Sequence, residues 1–472
     1  MPLNRVLSLF ALGLNALLFS LCASADAAIE VVATATAPNV ILLIGDGMDE
    51  QQMTIARNYL HGSRGRLLMD TLPLRSTAQV LTVEDRKDGR PVYVADSANT
   101  ATSMATGEVT SRGRIATRPG SDESITTIVE LASAAGIRTG LVTTASVTDA
   151  TPAAFAAHIN FRLCENPDLM QQVVIQNIPL GACPQFTRNQ GGPGSISEQL
   201  ASSPLHVLLG GGRKHFSPTV EGGSISVLQA ARNNGFRFVE NVKTLLAARP
   251  DRRLLGLFAP TTLPVRLRGE DGRTAESPDT SLLHSVHRYL GEVEQPAVMD
   301  CVENPDFADV PTLKQMTDKA LELLSNGNSN GFFLMVESAS IDKQAHLRNA
   351  CGALGEVGQL DEALASALAF AQEQPNTLVI VTSDHSHAAQ IIPDISLFAA
   401  YPIPLYTPGQ LARLRTQEGS VMAINYATTN FLREEHTGAS IPLLSNGQGE
   451  GLIPSYVEQP DVFNITRTYL GL

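Results

Sequence analysis

Asn39-Val40-Ile41-Leu42-Leu43-Ile44-Gly45-Asp46-Gly47-Met48 decides the fold, because five apolar residues run unbroken from Val40 to Ile44 and stop at a glycine, an acid and a second glycine. A run of that kind is buried on both faces, as strands of parallel sheets are, whereas a half-exposed strand alternates. Residues 50 to 60 then read as a helix. The stretch is therefore the first strand-helix unit of an α/β fold, and Asp46 stands at the strand's carboxyl end.

The same grammar returns further along the chain. Ile125 to Ala135 has helical spacing and Gly136 ends it; Arg138-Thr139-Gly140-Leu141-Val142-Thr143-Thr144 is the next buried strand. It runs into Val147-Thr148-Asp149-Ala150-Thr151-Pro152, followed by an expected helix that contains His158 and Arg162. Pro311 to Ser325 reads as a helix before the strand Gly331-Phe332-Phe333-Leu334-Met335-Val336-Glu337. Leu360 to Ala371 is helical before Thr377-Leu378-Val379-Ile380-Val381-Thr382-Ser383, which ends in Asp384-His385-Ser386-His387. Leu205 to Gly212 is a strand with a glycine turn; no Lys-Ser or Lys-Thr pair follows, which argues against a nucleotide cradle. Residues 184 to 204 and 260 to 310 read as loops or insertions, and Pro393 to Pro408 as a surface loop.

Composition places the protein outside the cytoplasm. Arg5, an apolar run from Val6 to Leu21 and the small residues Ala23-Ser24-Ala25-Asp26-Ala27 have the layout of a secretory signal peptide over residues 1–27, and the run is short for a membrane anchor. Residues 28–472 are then expected to form a single domain with loop insertions, periplasmic or secreted. Removing the leader takes Cys22 with it and leaves four of the five cysteines, an even number that suits two disulfides. Three pairings are open; Cys164 with Cys183 and Cys301 with Cys351 close the shortest loops. The excess of 47 acids over 34 bases, net −13, disfavours nucleic acid or an anionic membrane as partner, so an anionic substrate has to be drawn in by local positive charge.

Chemistry-bearing residues gather at the strand ends. Tyr93-Val94-Ala95-Asp96-Ser97-Ala98-Asn99-Thr100-Ala101-Thr102-Ser103-Met104-Ala105-Thr106-Gly107 reads as strand, tight turn and helix, with Ser97 at or near the N-cap, where a hydroxyl meets free amides and the helix dipole. Asp46, Glu337 and Asp384 end three buried strands, and such ends border one crevice in an open parallel sheet. Each alone would be a helix cap. With Asp342, His346, His385 and His436 added, the crowding calls for metal ions. Asp342 and His346 are four apart, on one face of a helix. By softness, Asp342, His346 and His436 suit one zinc and Asp46, Asp384 and His385 another, while Glu337 and the Thr151 hydroxyl are left for magnesium.

Gly45-Asp46-Gly47-Met48, Asp96-Ser97-Ala98, Asp149-Ala150-Thr151-Pro152, Val336-Glu337-Ser338-Ala339-Ser340-Ile341-Asp342-Lys343-Gln344-Ala345-His346, Asp384-His385-Ser386-His387 and Glu435-His436-Thr437-Gly438 together resemble the alkaline phosphatase family, in order from about residue 39 to the C-terminus. The resemblance implies a three-layer α/β/α sandwich around a large, mostly parallel sheet, two Zn2+ and one Mg2+, and hydrolysis of small phosphomonoesters with broad specificity. It makes Ser97 the nucleophile that carries a phosphoserine intermediate, Arg162 the clamp on phosphate oxygens and Asp96 the holder of Arg162. Thr151, Glu337 and Asp46 would bind magnesium, with Asp46 bridging to zinc. Asp149 and Lys343 match the bacterial form of the surrounding shell, and His387 would support a zinc-binding carboxylate. A homodimer is one assembly the resemblance implies, although only about a dozen residues separate Ala27 from Asn39, fewer than the bacterial branch uses to wrap its partner. A phosphodiesterase or sulfatase of the same superfamily is the competing enzyme; a silent phosphate- or metal-binding protein is the competing non-enzyme.

Overall fold

The computed structural model describes residues 37–472 apart from 397, 402, 405 and 406, so the expected leader over residues 1–27 lies outside the described residues. Ten strands form one sheet. In chain order they are β1 (Asn39–Gly45), β2 (Leu74–Gln79), β3 (Arg138–Ser146), β4 (Val207–Gly211), β5 (Phe236–Val239), β6 (Arg253–Leu257), β7 (Phe332–Ser338), β8 (Thr377–Ser383), β9 (Ile441–Ser445) and β10 (Tyr456–Glu458). Across the sheet they run β10-β2-β9-β8-β1-β7-β3-β4-β6-β5. Only β9 opposes its neighbours, pairing antiparallel with β8 and β2. The expected α/β fold with a mostly parallel sheet is the observed one.

Strand β1 lies at the centre because it can be buried on both sides. Ile41 and Leu43 face one core, and Val40, Leu42 and Ile44 face the other. Helices supply the outer layers: α1 (Glu50–His61), α2 (Ser97–Thr106), α3 (Ile128–Ala134), α4 (Ala150–Ala156), α5 (Leu313–Ser325), α6 (Ser340–His346), α7 (Ala350–Glu373) and α8 (Asp461–Leu470). Met53 and Ile55 of α1, Leu313 and Met316 of α5 and Leu354 and Leu360 of α7 fill the first core. Ala98 and Met104 of α2, Ile128 of α3, Ala153 of α4 and Val462 and Phe463 of α8 fill the second. Two apolar faces on one sheet require two helical layers, and the result is the α/β/α sandwich.

Some boundaries depart from the sequence reading. Helix α7 begins ten residues before Leu360, at Ala350; Gly352, Gly355 and Gly358 hide it, because glycine weakens any helical signal. Those glycines are there for close packing: a Cβ on Gly355 would meet Leu267 at 3.1 Å. The supposed loop 184 to 204 contains a helix over Ile196–Ser202, and residues 260 to 310 carry short antiparallel pairs such as Leu267–Gly269 with Cys301–Glu303. Strands β5 and β6 are only four and five residues long and carry no sequence expectation; β5 is the sheet's edge and β6 lies between it and β4. The disulfides are Cys164–Cys183 and Cys301–Cys351, the two shortest loops. No helix of the described residues is long and apolar enough to cross a membrane.

Inside α7, Glu356 is almost fully buried and accepts from Gln359 Nε2 at 2.7 Å and from the Arg266 N–H at 3.2 Å. Burial pushes its carboxyl up to about 7. A folded-state value above the unfolded one means a contribution that is complete below the unfolded range and lost as pH rises through 7. Glu356→Gln is therefore expected to gain stability relative to the parent by about 1–2 kcal/mol between pH 5 and pH 8. Urea unfolding at the two pH values checks this; an unchanged difference would contradict it.

Candidate active site

Strands β1, β7 and β8 end level with one another, because Ile44 is registered against Glu337 on one side and Thr382 on the other. Asp46, Glu337 and Asp384 consequently leave neighbouring strands at one place, all buried. Asp46 and Asp384 are tied through the turn between them: the Gly47 N–H donates to Asp384 Oδ1 at 2.9 Å, and the Met48 N–H to Ser383 Oγ at 2.9 Å.

Ser97 is the first residue of α2 and not its cap. Asp96 caps the helix, accepting from the Asn99 N–H at 3.2 Å, while the Asn99 side chain accepts from the Asp96 N–H at 2.9 Å. This reciprocal cap holds the serine hydroxyl at the amino end of a ten-residue buried helix, where unpaired N–H groups and the dipole favour an anion. Ser97 Oγ lies 3.3 Å from His385 Nε2. The sequence shows no histidine near Ser97, because 288 residues separate the pair along the chain.

Arg162 reaches the site from a loop. The expected helix through His158 and Arg162 stops at Ala156, since Ala157 is extended and Ile159 exchanges backbone hydrogen bonds with Ile115 at 2.9 and 3.0 Å. The Arg162 N–H donates to the Gly113 carbonyl at 2.8 Å, and the Cys164–Cys183 bridge ties the loop two residues later. The guanidinium spans Asp96 Oδ2 at 3.2 Å and Asp149 Oδ1 at 3.0 Å. Lys343 Nζ takes the other Asp149 oxygen at 2.6 Å. Asp149, which the resemblance puts in the shell around the metals, thus has both oxygens engaged by cations.

Helix α6 carries Asp342 and His346 on one face, as their spacing predicts. His346 Nδ1 bonds the Glu434 carbonyl at 2.5 Å and His436 Nδ1 the Ala95 carbonyl at 2.8 Å. Each ring's proton is therefore on Nδ1, and each Nε2 lone pair is free to face Asp342. His387 differs: the Ala388 N–H donates to its Nδ1 at 2.7 Å, which leaves the proton on Nε2. That nitrogen stands 3.3 Å from Asp342 Oδ1 without a hydrogen bond to it, and with its proton in place it has no lone pair for a metal. Glu434 was missed by the sequence reading. Fully buried against Arg348 Nε at 2.7 Å, it holds the carbonyl that orients His346.

Three buried carboxylate oxygens, Asp46 Oδ1, Asp342 Oδ1 and Asp384 Oδ2, accept no hydrogen bond among the described residues. Burial first, then Asp342, Asp384 and Glu337, push the Asp46 carboxyl well above its usual range. Burial likewise raises Asp384 to about 6 and Glu337 to about 7. Asp342 goes the other way: burial opposes ionisation, but His387 and His436 outweigh it. His385 is pushed well below the ordinary imidazole value by burial and by His436. The two nearby cations, Arg162 and Lys343, are already paired with Asp96 and Asp149. Such a site is short of positive charge.

Divalent cations fit that shortage. Tetrahedral zinc with bonds of about 2.0–2.1 Å spaces its ligands about 3.3 Å apart. Around Asp342 Oδ1, His346 Nε2 and His436 Nε2 the three separations are 3.4, 3.2 and 3.1 Å. From His385 Nε2 to Asp46 Oδ1, Asp384 Oδ2 and Ser97 Oγ they are 3.5, 3.4 and 3.3 Å. Glu337, which Thr143 Oγ1 and Thr151 also approach, belongs with Asp46 to an all-oxygen set that suits a harder ion. A cleft of about 920 Å³ opens above Ser97, Arg162, His346 and His436.

The family model for alkaline phosphatase matches residues 37–466. An alkaline phosphatase of Escherichia coli is 40% identical over 445 residues, which cover 92% of this chain and 86% of that one. A streptomycin-6-phosphate phosphatase of Streptomyces griseus is 40% identical over 459 residues, covering 95% of this chain and 94% of that one. Among solved structures, alkaline phosphatase from the Antarctic bacterium TAB5 has a TM-score of 0.63 at 24% identity, covering 92% of this chain and 99% of that one, and it supports the fold. A likeness that runs nearly end to end, over residues whose geometry asks for metal ions beside a serine, makes the chain a member of the alkaline phosphatase family, hydrolases of phosphate monoesters.

Proposed function

We propose that the protein hydrolyses phosphate monoesters of many alcohols through a phosphoserine at Ser97, releasing inorganic phosphate and the alcohol. The observation that carries this reading is the serine hydroxyl at the start of α2, 3.3 Å from His385 Nε2 and in one cleft with Arg162. Ser97 Oγ forms the new P–O bond as the bond to the leaving alcohol breaks, and the alcohol oxygen takes up a proton. Water then attacks the phosphoserine, which restores the hydroxyl and frees phosphate. Arg162 offers paired N–H donors to two non-bridging oxygens, a planar match to phosphate, and Asp96 and Asp149 hold it at that angle. Lys343 and Asp149 hold each other in the lining of the same cleft.

Asp342, His346 and His436 would bind one Zn2+, Asp46, Asp384 and His385 a second, and Asp46, Glu337 and Thr151 one Mg2+. When bound, the zinc ions would lower the pKa of the serine hydroxyl and of the attacking water and offset the charge of the leaving oxygen. Recognition centred on the phosphoryl group leaves the alcohol little read. Residues 1–27 are proposed as the leader of an exported protein, which the two disulfides favour.

The test is hydrolysis of para-nitrophenyl phosphate at alkaline pH. A chelator is expected to leave no more than about a hundredth of the rate, with recovery on adding zinc and magnesium together. Full activity in chelator would remove the metal reading.

A further inference from the structure

Two cations at the mouth of the cleft have no part in this chemistry. Arg112 stands next to Gly113, whose N–H donates to Asp96, and Arg433 precedes Glu434, whose carbonyl holds His346. Both line the cleft that contains Ser97 and Arg162, and both are exposed. Neither guanidinium has a hydrogen-bond or ion-pair partner among the described residues. Several arginines elsewhere, among them Arg57, Arg114, Arg266 and Arg413, face an acid. So do the other cations of the cleft, Arg162 and Lys343. The acids of the cleft are likewise spoken for: Asp96 and Asp149 by Arg162, Asp342 by the histidines, and Glu165 by Thr148 and His215. Two unpaired arginines in one cleft of a protein with net charge −13 are a local exception to its overall field.

We infer that the enzyme favours phosphate monoesters whose alcohol carries a second anionic group, a carboxylate or another phosphate, and that Arg112 and Arg433 determine this preference. The inference rests on the phosphomonoesterase reading and narrows its substrate class. With the phosphoryl group over Ser97, the alcohol shares a cleft whose lining includes the two guanidiniums and the apolar residues Leu263, Pro264 and Val265. Each guanidinium is a flexible planar fork that matches carboxylate or phosphate, and it reverses the repulsion that the net charge imposes on a doubly anionic substrate. Exposed contacts are individually weak. The expected preference is accordingly several-fold and confined to specificity.

Two matched pairs read it: benzyl phosphate against para-carboxybenzyl phosphate, and glycerol phosphate against phosphoglycerate. The ratio of kcat/KM, anionic over neutral, is compared between the parent and Arg112→Ser/Arg433→Ser. It is expected to fall by about threefold or more in at least one pair, to return towards the parent value in Arg112→Lys/Arg433→Lys, and to shrink in the parent between about 10 mM and about 0.5 M salt. The ratio cancels any general loss of activity or folding in the variants. A change of less than about threefold in both pairs overturns the inference. A parent enzyme that hydrolyses none of the four esters overturns instead the phosphomonoesterase reading.

Discussion

Ser97→Ala is expected to lower kcat for para-nitrophenyl phosphate by about a thousandfold or more while inorganic phosphate still binds within about tenfold of the parent affinity. The asymmetry follows from which atoms are lost. In the proposed reaction the hydroxyl forms the bond to phosphorus, so without it only direct attack by water would remain. On the proposed reading phosphate would be held mainly by Arg162, the start of α2 and the metal ions, and alanine leaves their residues in place: Asp96 caps the helix through the Asn99 N–H, independently of the Ser97 side chain. Steady-state kinetics and competition by phosphate measure the two quantities. Acid quenching of the parent during turnover is expected to trap phosphate on the peptide that contains Ser97. Unchanged turnover in the variant would show that another group is the nucleophile.

Asp342→Ala is expected to cost about a thousandfold in kcat/KM and to lower the bound zinc by about one ion for each chain. Asp342 Oδ1 is the atom on which three rings converge: His436 Nε2 at 3.2 Å, His387 Nε2 at 3.3 Å and His346 Nε2 at 3.4 Å. Its charge would let a divalent cation sit between the two imidazoles, and among the described residues no other carboxylate makes a close contact with both. No backbone N–H of α6 depends on Asp342 Oδ1, which is one of the oxygens without a hydrogen bond. Folding is thus expected to survive, with circular dichroism and disulfide content as controls. Zinc content by atomic absorption and kinetics with saturating zinc measure the effect; parent activity at parent zinc content would remove Asp342 from the metal site.

Legibility in the sequence followed the physics of burial. Strands β1, β7 and β8 are buried on both faces, so their composition alone reveals them, and the acids that end them are visible as the first charges after an apolar run. The spacing of Asp342 and His346 is local and was readable for the same reason. What was hidden is whatever depends on long-range meeting. His385 comes within 3.3 Å of Ser97 only because β8 and α2 end in one crevice, and no local pattern encodes that. The tautomer of His387 is set by the Ala388 backbone N–H, which a string of letters does not show. Arg162 was assigned to a helix because Ala153, Ala154, Ala156 and Ala157 favour one; the pairing of Ile115 with Ile159 overrides that propensity and turns the arginine inwards. Nothing in the pair Glu434-Glu435 marks the first acid as the buried one, and its pairing with Arg348 accounts for that burial.

The central claim is that acids and imidazoles from distant parts of the chain hold divalent cations against one serine. Anomalous scattering at the zinc absorption edge, from crystals grown with zinc, tests it most directly. The account predicts one peak among Asp342, His346 and His436 and a second among Asp46, Asp384 and His385 within bonding reach of Ser97 Oγ. Crystals of active enzyme with no peak at either place would contradict it.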